Sequence, residues 1–208
     1  MASSLHFWDH SILPPVLDRV MARSMFGRLR AKATAPAFGR VLEIGIGSGL
    51  NLGYYPRSLE SVIGVDPSMP LLRRAHRRAA WMAFPVHLRQ GRAENLPIAD
   101  QSVDVAVSTW TLCSVDDPER ALAELRRVLR PGGLLCYCEH GLCPDPATAR
   151  WQRRLTPAWR RVAGGCRLDR PHEQLIEAAG FRIERQVAGR LLPGPAVLGW
   201  HQLGLARL

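Results

Sequence analysis

The sequence predicts an α/β fold: an open, mostly parallel sheet with helices packed on both faces. Three observations carry this. Short apolar runs alternate with amphipathic stretches of helical period along most of the chain. The run Val41–Ile44 stops at Gly45-Ile46-Gly47-Ser48-Gly49, the kind of junction at which a strand feeds a helix and the backbone approaches a ligand. Asp66 ends the next apolar run, 23 residues after Glu43, so both carboxylates fall near the crevice outside the carboxyl ends of the strands. A chain of 208 residues fits one domain with a single well-buried core.

The elements follow in order. Residues 1–37 read as an N-terminal helical arm covering the active site. Trp8, Ile12, Val16, Leu17, Val20 and Met21 recur at helical spacing, and Pro14-Pro15 starts a new helix rather than continuing one. Residues 38–208 form the main domain, whose first four strands are expected at Arg40–Ile44, Ser61–Asp66, Val86–Gln90 and Val103–Thr109. Pro70 opens a helix that runs to about Ala83, and Pro85 closes it. Leu71, Leu72, Ala75, Ala79 and Met82 form its apolar face, with Arg73, Arg74, Arg77 and Arg78 toward solvent. Asp117 caps a helix with Pro118 in its first turn, burying Ala121, Leu122, Leu125, Val128 and Leu129. Pro131-Gly132-Gly133 then turns into a strand at Leu134–Glu139. Residues 141–170, rich in Pro, Gly and Trp, break the alternation and are expected to insert a cap of short helices over the ligand site. A helix over His172–Ala179 stops at Gly180, followed by strands at Phe181–Val187 and Gly199–Leu208.

The glycine-rich turn is not the dinucleotide fingerprint, because Leu50 stands where its last glycine would fall. Glu43 beside the loop would repel a pyrophosphate and suits a ligand carrying an ammonium and a sulfonium. Asp66 is placed to accept hydrogen bonds from two ribose hydroxyls. A nucleoside with positive charge and no phosphate is S-adenosylmethionine.

Further segments agree in order and spacing: Gly91-Arg92-Ala93-Glu94-Asn95-Leu96-Pro97-Ile98, Ser102 to Val107, and Arg126 to Gly133. Over residues 38 to 190 the chain thereby resembles the class I S-adenosylmethionine-dependent methyltransferases. The resemblance implies a Rossmann-like sheet of seven strands, with Glu43 and the loop of Gly45, Gly47 and Gly49 on the methionine part of the cofactor and Asp66 on the ribose. Asn51 and Pro67 join this cofactor set, Ala93 or Glu94 flanks the adenine, and Thr109 and Trp110 line the sulfonium side. Thr111 to Val115, Glu139-His140, Trp151, Thr156 to Trp159 and Gly165 to Arg170 resemble, more narrowly, the methyltransferase-like protein 7 group of thiol S-methyltransferases and its bacterial relatives. The acceptor this implies is a small thiol such as hydrogen sulfide or methanethiol. Quinone C-methyltransferases and phospholipid N-methyltransferases are looser likenesses, and a non-catalytic cofactor-binding protein is a remote alternative.

Methyl transfer needs alignment and water exclusion more than a strong acid or base. Trp110, Trp151 and Trp159 either build an apolar acceptor pocket or pack ordinarily. Thr109, Trp110 and His140 are the catalytic candidates, with His140 either a base or an orienting donor. Cys113 and Cys166 read as packing thiols, and Cys136 and Cys138 share one strand face as core thiols. No metal is expected, because no His/Cys group has zinc spacing in the sequence.

The net charge of +10 rests almost wholly on arginine, with Lys32 the single lysine, as a GC-rich bacterial genome produces. The arginines are scattered and no nucleic-acid module is present, so no nucleic-acid partner is expected. With a polar start and no bilayer-spanning run, the expectation is a cytoplasmic protein, monomeric or weakly dimeric. The expectation is also that it lacks the apolar N-terminal anchor of the animal thiol methyltransferases and associates at most reversibly with anionic membranes.

Overall fold

The structure, a computed structural model, describes residues 13–208; Trp8, Ile12 and the Leu17 side chain lie outside that description. In chain order the elements are α1 (Leu13–Met21), α2 (Ser24–Thr34), β1 (Arg40–Ile44), β2 (Ser61–Asp66), α3 (Met69–Ala79), β3 (Val86–Gln90), β4 (Val103–Thr109), α4 (Pro118–Val128), β5 (Leu129–His140), α5 (Pro146–Val162), α6 (His172–Ala178), β6 (Arg182–Arg190), α7 (Ala196–Gly199) and β7 (Trp200–Arg207). The strands form one seven-stranded sheet in the order β3-β2-β1-β4-β5-β7-β6. The pairs from β3 through β5 are parallel, and β7 runs antiparallel to both of its neighbours.

The central strands are apolar on both faces, as strands covered by helices must be. Val41, Leu42 and Ile44 of β1 and Val103, Val105, Ala106 and Val107 of β4 are buried. One face packs on α4 and α6 through Ala121, Leu122, Leu125 and Ile176. The other packs Val41, Val62, Val105 and Val107 on Leu72 of α3, with Leu52 and Tyr55. Leu29 and Ala33 of α2 sit against Cys138. The edges β3 and β6 carry His87, Arg89, Arg182, Glu184 and Arg185, which discourages further strand pairing. The strand order turns outward on either side of the β1–β4 pair, and the glycine loop leaves β1 at that switch point.

Strands β1 to β4 have the bounds expected from the sequence, and Asp117 Oδ1 accepts from Arg120 N at 2.9 Å as the N-cap of α4. Four details differ. First, α3 ends at Ala79, short of Ala83. Second, β5 begins at Leu129 and absorbs Pro131-Gly132-Gly133 as a register shift rather than a turn before the strand. Third, residues 141–170 contain one 17-residue helix, α5, not several short ones. Asp145 caps its start, accepting from Thr148 N at 2.8 Å. Pro157 lies on the exposed face of the helix, where a residue without an N–H is better tolerated than in the buried face. Fourth, Arg74 and Arg78 do not point to open solvent but bind Asp18 of α1.

Leu125 of α4 is fully buried between helix and sheet. Leu125→Ala is expected to lower stability by about 2–5 kcal/mol, read as a lower urea midpoint at unchanged slope.

Candidate active site

Three glycines turn the chain after β1, all with positive φ. A side chain at Gly45 would collide with Thr111, and one at Gly49 would press on Ala75 of α3 at 3.2 Å. At Gly47, φ is +55° and a Cβ would meet nothing nearer than the Gly45 carbonyl at 3.9 Å. Gly45 and Gly49 therefore serve packing, while Gly47 faces open space. Asp66, at the end of β2, accepts from Gly47 N and Ser68 N, both at 2.8 Å. Burial pushes its pKa up against these two bonds.

Glu43 is buried and both its oxygens are engaged. Oε1 accepts from Asn51 Nδ2 at 2.9 Å and Oε2 from the Tyr55 hydroxyl at 2.8 Å. Asn51 Nδ2 also donates to Thr109 Oγ1 at 2.9 Å, and Asn51 Oδ1 accepts from Arg30 Nη1 at 2.7 Å. Burial raises the Glu43 carboxyl to about 7, against Tyr55, Arg30 and Asn51. Arg30 belongs to α2 and was not among the residues read from the sequence. It lies 4.9 Å from the centroid of the Trp110 ring, and its Nε is buried without a partner. Trp110 has φ +52°, a conformation that costs a non-glycine residue about 1–3 kcal/mol. Its ring meets Phe26 edge-on at 5.3 Å and His201 at 6.1 Å, and its Nε1 has no partner. The arm also reaches the glycine loop through Asp18, which accepts from Ser48 Oγ at 2.5 Å and pairs with Arg74 and Arg78.

The residues expected near the adenine divide. Ala93 is buried, while Glu94 turns to the loop before α4, accepting from Asp116 N at 2.9 Å and Arg92 at 3.2 Å. Pro67 is exposed and its carbonyl accepts from Gln90 at 3.1 Å.

A second buried carboxylate organises the ends of β4 and β5. Glu139 accepts from Ser108 Oγ at 2.6 Å, Thr111 N at 3.1 Å and Cys113 N at 3.1 Å. Arg170 donates to the Leu112 and Val115 carbonyls, and Arg167 N donates to the Cys113 carbonyl at 2.8 Å. The segments 111–115, 139–140 and 165–170 are thus one hydrogen-bonded knot. His140 has both ring nitrogens engaged: Nδ1 lies 3.3 Å from Cys166 Sγ, and Nε2 lies 3.0 Å from the Leu198 carbonyl. It does not present a free nitrogen to an acceptor. His201 stacks on it at 4.2 Å, and burial holds His201 and His172 neutral, at about 3. Trp151 does not line this site; it is 55 % exposed and lies under Arg154. Trp159 is half-buried. The structure brings Cys113 and Cys166 to 3.5 Å beside His140, a grouping that spacing in the sequence does not show.

Residues 42–137 match the family described as "Methyltransferase domain". Thiol S-methyltransferase TMT1B of Homo sapiens is 35 % identical over 91 % of this chain and 82 % of its own length. The chain belongs to the class I S-adenosylmethionine-dependent methyltransferases. Phosphatidylethanolamine N-methyltransferase of Cereibacter sphaeroides is 38 % identical over 49 % of this methyltransferase and 51 % of its own length. A S-adenosylmethionine-dependent methyltransferase of Thermotoga maritima shares the fold at TM-score 0.71 and 24 % identity, covering 97 % of this chain and 98 % of its own.

The residues present fit the cofactor. Gly47 leaves space beside Asp66, whose oxygens retain lone pairs for hydroxyl donors. The unpartnered buried Nε of Arg30 suits the cofactor's carboxylate. Glu43 acts one layer further back, holding Asn51 and Tyr55.

Asp66→Ala is expected to weaken S-adenosylhomocysteine binding by about 1.5–3 kcal/mol in calorimetric titration. Gly47→Val should abolish that binding in a chain that still folds; undiminished affinity would place the ligand elsewhere. Glu43 titrates near 4.5 when unfolded and about 7 when folded, so the folded state holds an extra proton between these values. Its contribution is full below pH 4.5 and is lost as pH rises through 7, a span of about 3 kcal/mol. Urea midpoints across about pH 5 to 8 should fall less steeply in Glu43→Gln than in the parent.

Proposed function

We propose that this methyltransferase acts on a small thiol, giving methanethiol from hydrogen sulfide and the methyl thioether from an alkyl thiol such as methanethiol. The similarity to a thiol S-methyltransferase along 91 % of the chain carries this reading. Its structural counterpart is the knot of segments 111–115, 139–140 and 165–170 over the ends of β4 and β5. When bound, the cofactor supplies an electrophilic methyl group on a sulfonium.

In this reading the chain's own residues hold, orient and exclude water. Asp66 takes the ribose hydroxyls, Arg30 the carboxylate, and Ala93 flanks the adenine. Glu43 and Asn51 hold the loop and Thr109 in register. Trp110, held in its left-handed conformation against Phe26 and Arg30, walls the acceptor side with an aromatic face. A thiol is partly ionised near neutral pH and needs no strong base, which agrees with a His140 whose nitrogens are engaged within the protein.

A reversible membrane association of a cytoplasmic protein is supported by α5. Trp151, Leu155, Ala158 and Val162 form an exposed stripe at helical spacing, flanked by Arg150, Arg153, Arg154 and Arg161. This matches a helix lying on an anionic surface. No helix among the described residues is long and apolar enough to cross a membrane.

An acceptor panel read by S-adenosylhomocysteine release tests the substrate. Alkyl thiols and sulfide should turn over, while a quinone and phosphatidylethanolamine vesicles should not; the reverse pattern overturns the thiol reading. In vesicle flotation, binding to anionic lipid should be lost between about 0.1 and 1 M salt, as the screening length falls from about 10 to 3 Å.

A further inference from the structure

We propose that Cys113, His140 and Cys166 form a three-ligand site for a soft divalent metal ion, best matched by zinc. The residues come from three elements: the loop after β4, the end of β5, and the loop after α5. Their Sγ, Nδ1 and Sγ atoms all lie within 4.8 Å of one another. The two sulfurs are 3.5 Å apart, and Cys166 Sγ is 3.3 Å from His140 Nδ1. Tetrahedral zinc, with bonds of about 2.3 Å to sulfur and 2.0–2.1 Å to nitrogen, sets such atoms roughly 3.5–3.8 Å apart. The two edges that meet at Cys166 Sγ are within a few tenths of an ångström of that face, and the third, between Cys113 Sγ and the His140 ring nitrogen, is at most 4.8 Å. A disulfide would instead need the sulfurs at about 2.05 Å and would give His140 no part.

The second layer supports the same conclusion. A ligating histidine fixes its tautomer by donating from its other nitrogen, commonly to a backbone carbonyl. His140 Nε2 is 3.0 Å from the Leu198 carbonyl, which leaves the Nδ1 lone pair directed at the sulfurs. Cys113 is anchored through its own N–H on Glu139 and its carbonyl on Arg167, so its thiol has a fixed place. Both cysteines are buried. Two thiolates and a divalent cation sum to zero charge, which suits a site away from water, whereas a monovalent ion would leave a net negative charge there. Three protein ligands leave the fourth corner of the tetrahedron to a non-protein ligand.

Cobalt(II), added to the reduced full chain with no methyl acceptor present, is the probe. One equivalent should bind, with sulfur-to-cobalt charge-transfer absorption and the intense visible bands of a tetrahedral centre, and zinc should displace it. Cys166→Ser and His140→Ala should each weaken binding by at least about tenfold. Cys143→Ser, altering a buried cysteine outside the cluster, should leave the spectrum unchanged. The parent chain's spectrum decides the matter even where a variant fails to fold. Absence of the charge-transfer band in the reduced parent, or a spectrum retained in a folded Cys113→Ser/Cys166→Ser double variant, overturns the proposal. Since no acceptor is present, either result is independent of the thiol reading, which the acceptor panel decides.

Discussion

A carboxylate taken out of water at the end of a central strand has to be given donors, and in this protein two such carboxylates set the site. Glu43 at the end of β1 draws in Asn51 and Tyr55, and through Asn51 it reaches Thr109 of β4 and Arg30 of the arm. Glu139 at the end of β5 draws in Ser108, Thr111 and Cys113. An unmet buried charge is costly enough that these partners are obligatory. The loops over the carboxyl ends of β1, β4 and β5 therefore have their shapes imposed from beneath.

That constraint links the arm to the cofactor loop. Arg30 enters a buried position only because Asn51 and the face of Trp110 receive it. Asp18, held below the usual carboxylate range by Ser48, Arg74 and Arg78 despite its burial, fastens α1 to the glycine turn. The arm thus contacts the glycine loop through Ser48 and Asn51, and the β4–β5 knot holds the neighbouring strand ends. The left-handed backbone of Trp110 sits where the two meet, a strained residue fixed by packing on both sides.

The central architecture was legible because its signals are local. Short apolar runs, a glycine turn, and Pro and Asp at helix starts fix β1 to β4 and α4 within a few residues each. The single long α5 was not, since Pro157 reads as a breaker unless its exposed face is known. Pro131-Gly132-Gly133 reads as a turn, yet the sheet continues through it as a register shift. Glu43 and Asp66 were found by type and spacing, but only coordinates show that Glu43 is filled by protein donors. Arg30 carried no signal beyond an arginine in an amphipathic helix. Cys113 and Cys166 are 53 residues apart, so their contact exists only once three elements are folded together. Their placement in motifs flanking β4 and α5 was the one available hint.

The fold alone does not assign an acceptor, because specificity lies in what the arm and cap present to the crevice. The central claim is that Asp66 and Arg30 hold the cofactor from opposite sides of one site, with its sulfur turned toward Thr109 and Trp110. A crystal structure of the complex with S-adenosylhomocysteine tests this most directly. The account expects both ribose hydroxyls on Asp66, the carboxylate on Arg30 Nε, and the sulfur facing the Trp110 ring. A ribose held away from Asp66, or a carboxylate bound without Arg30, would contradict it.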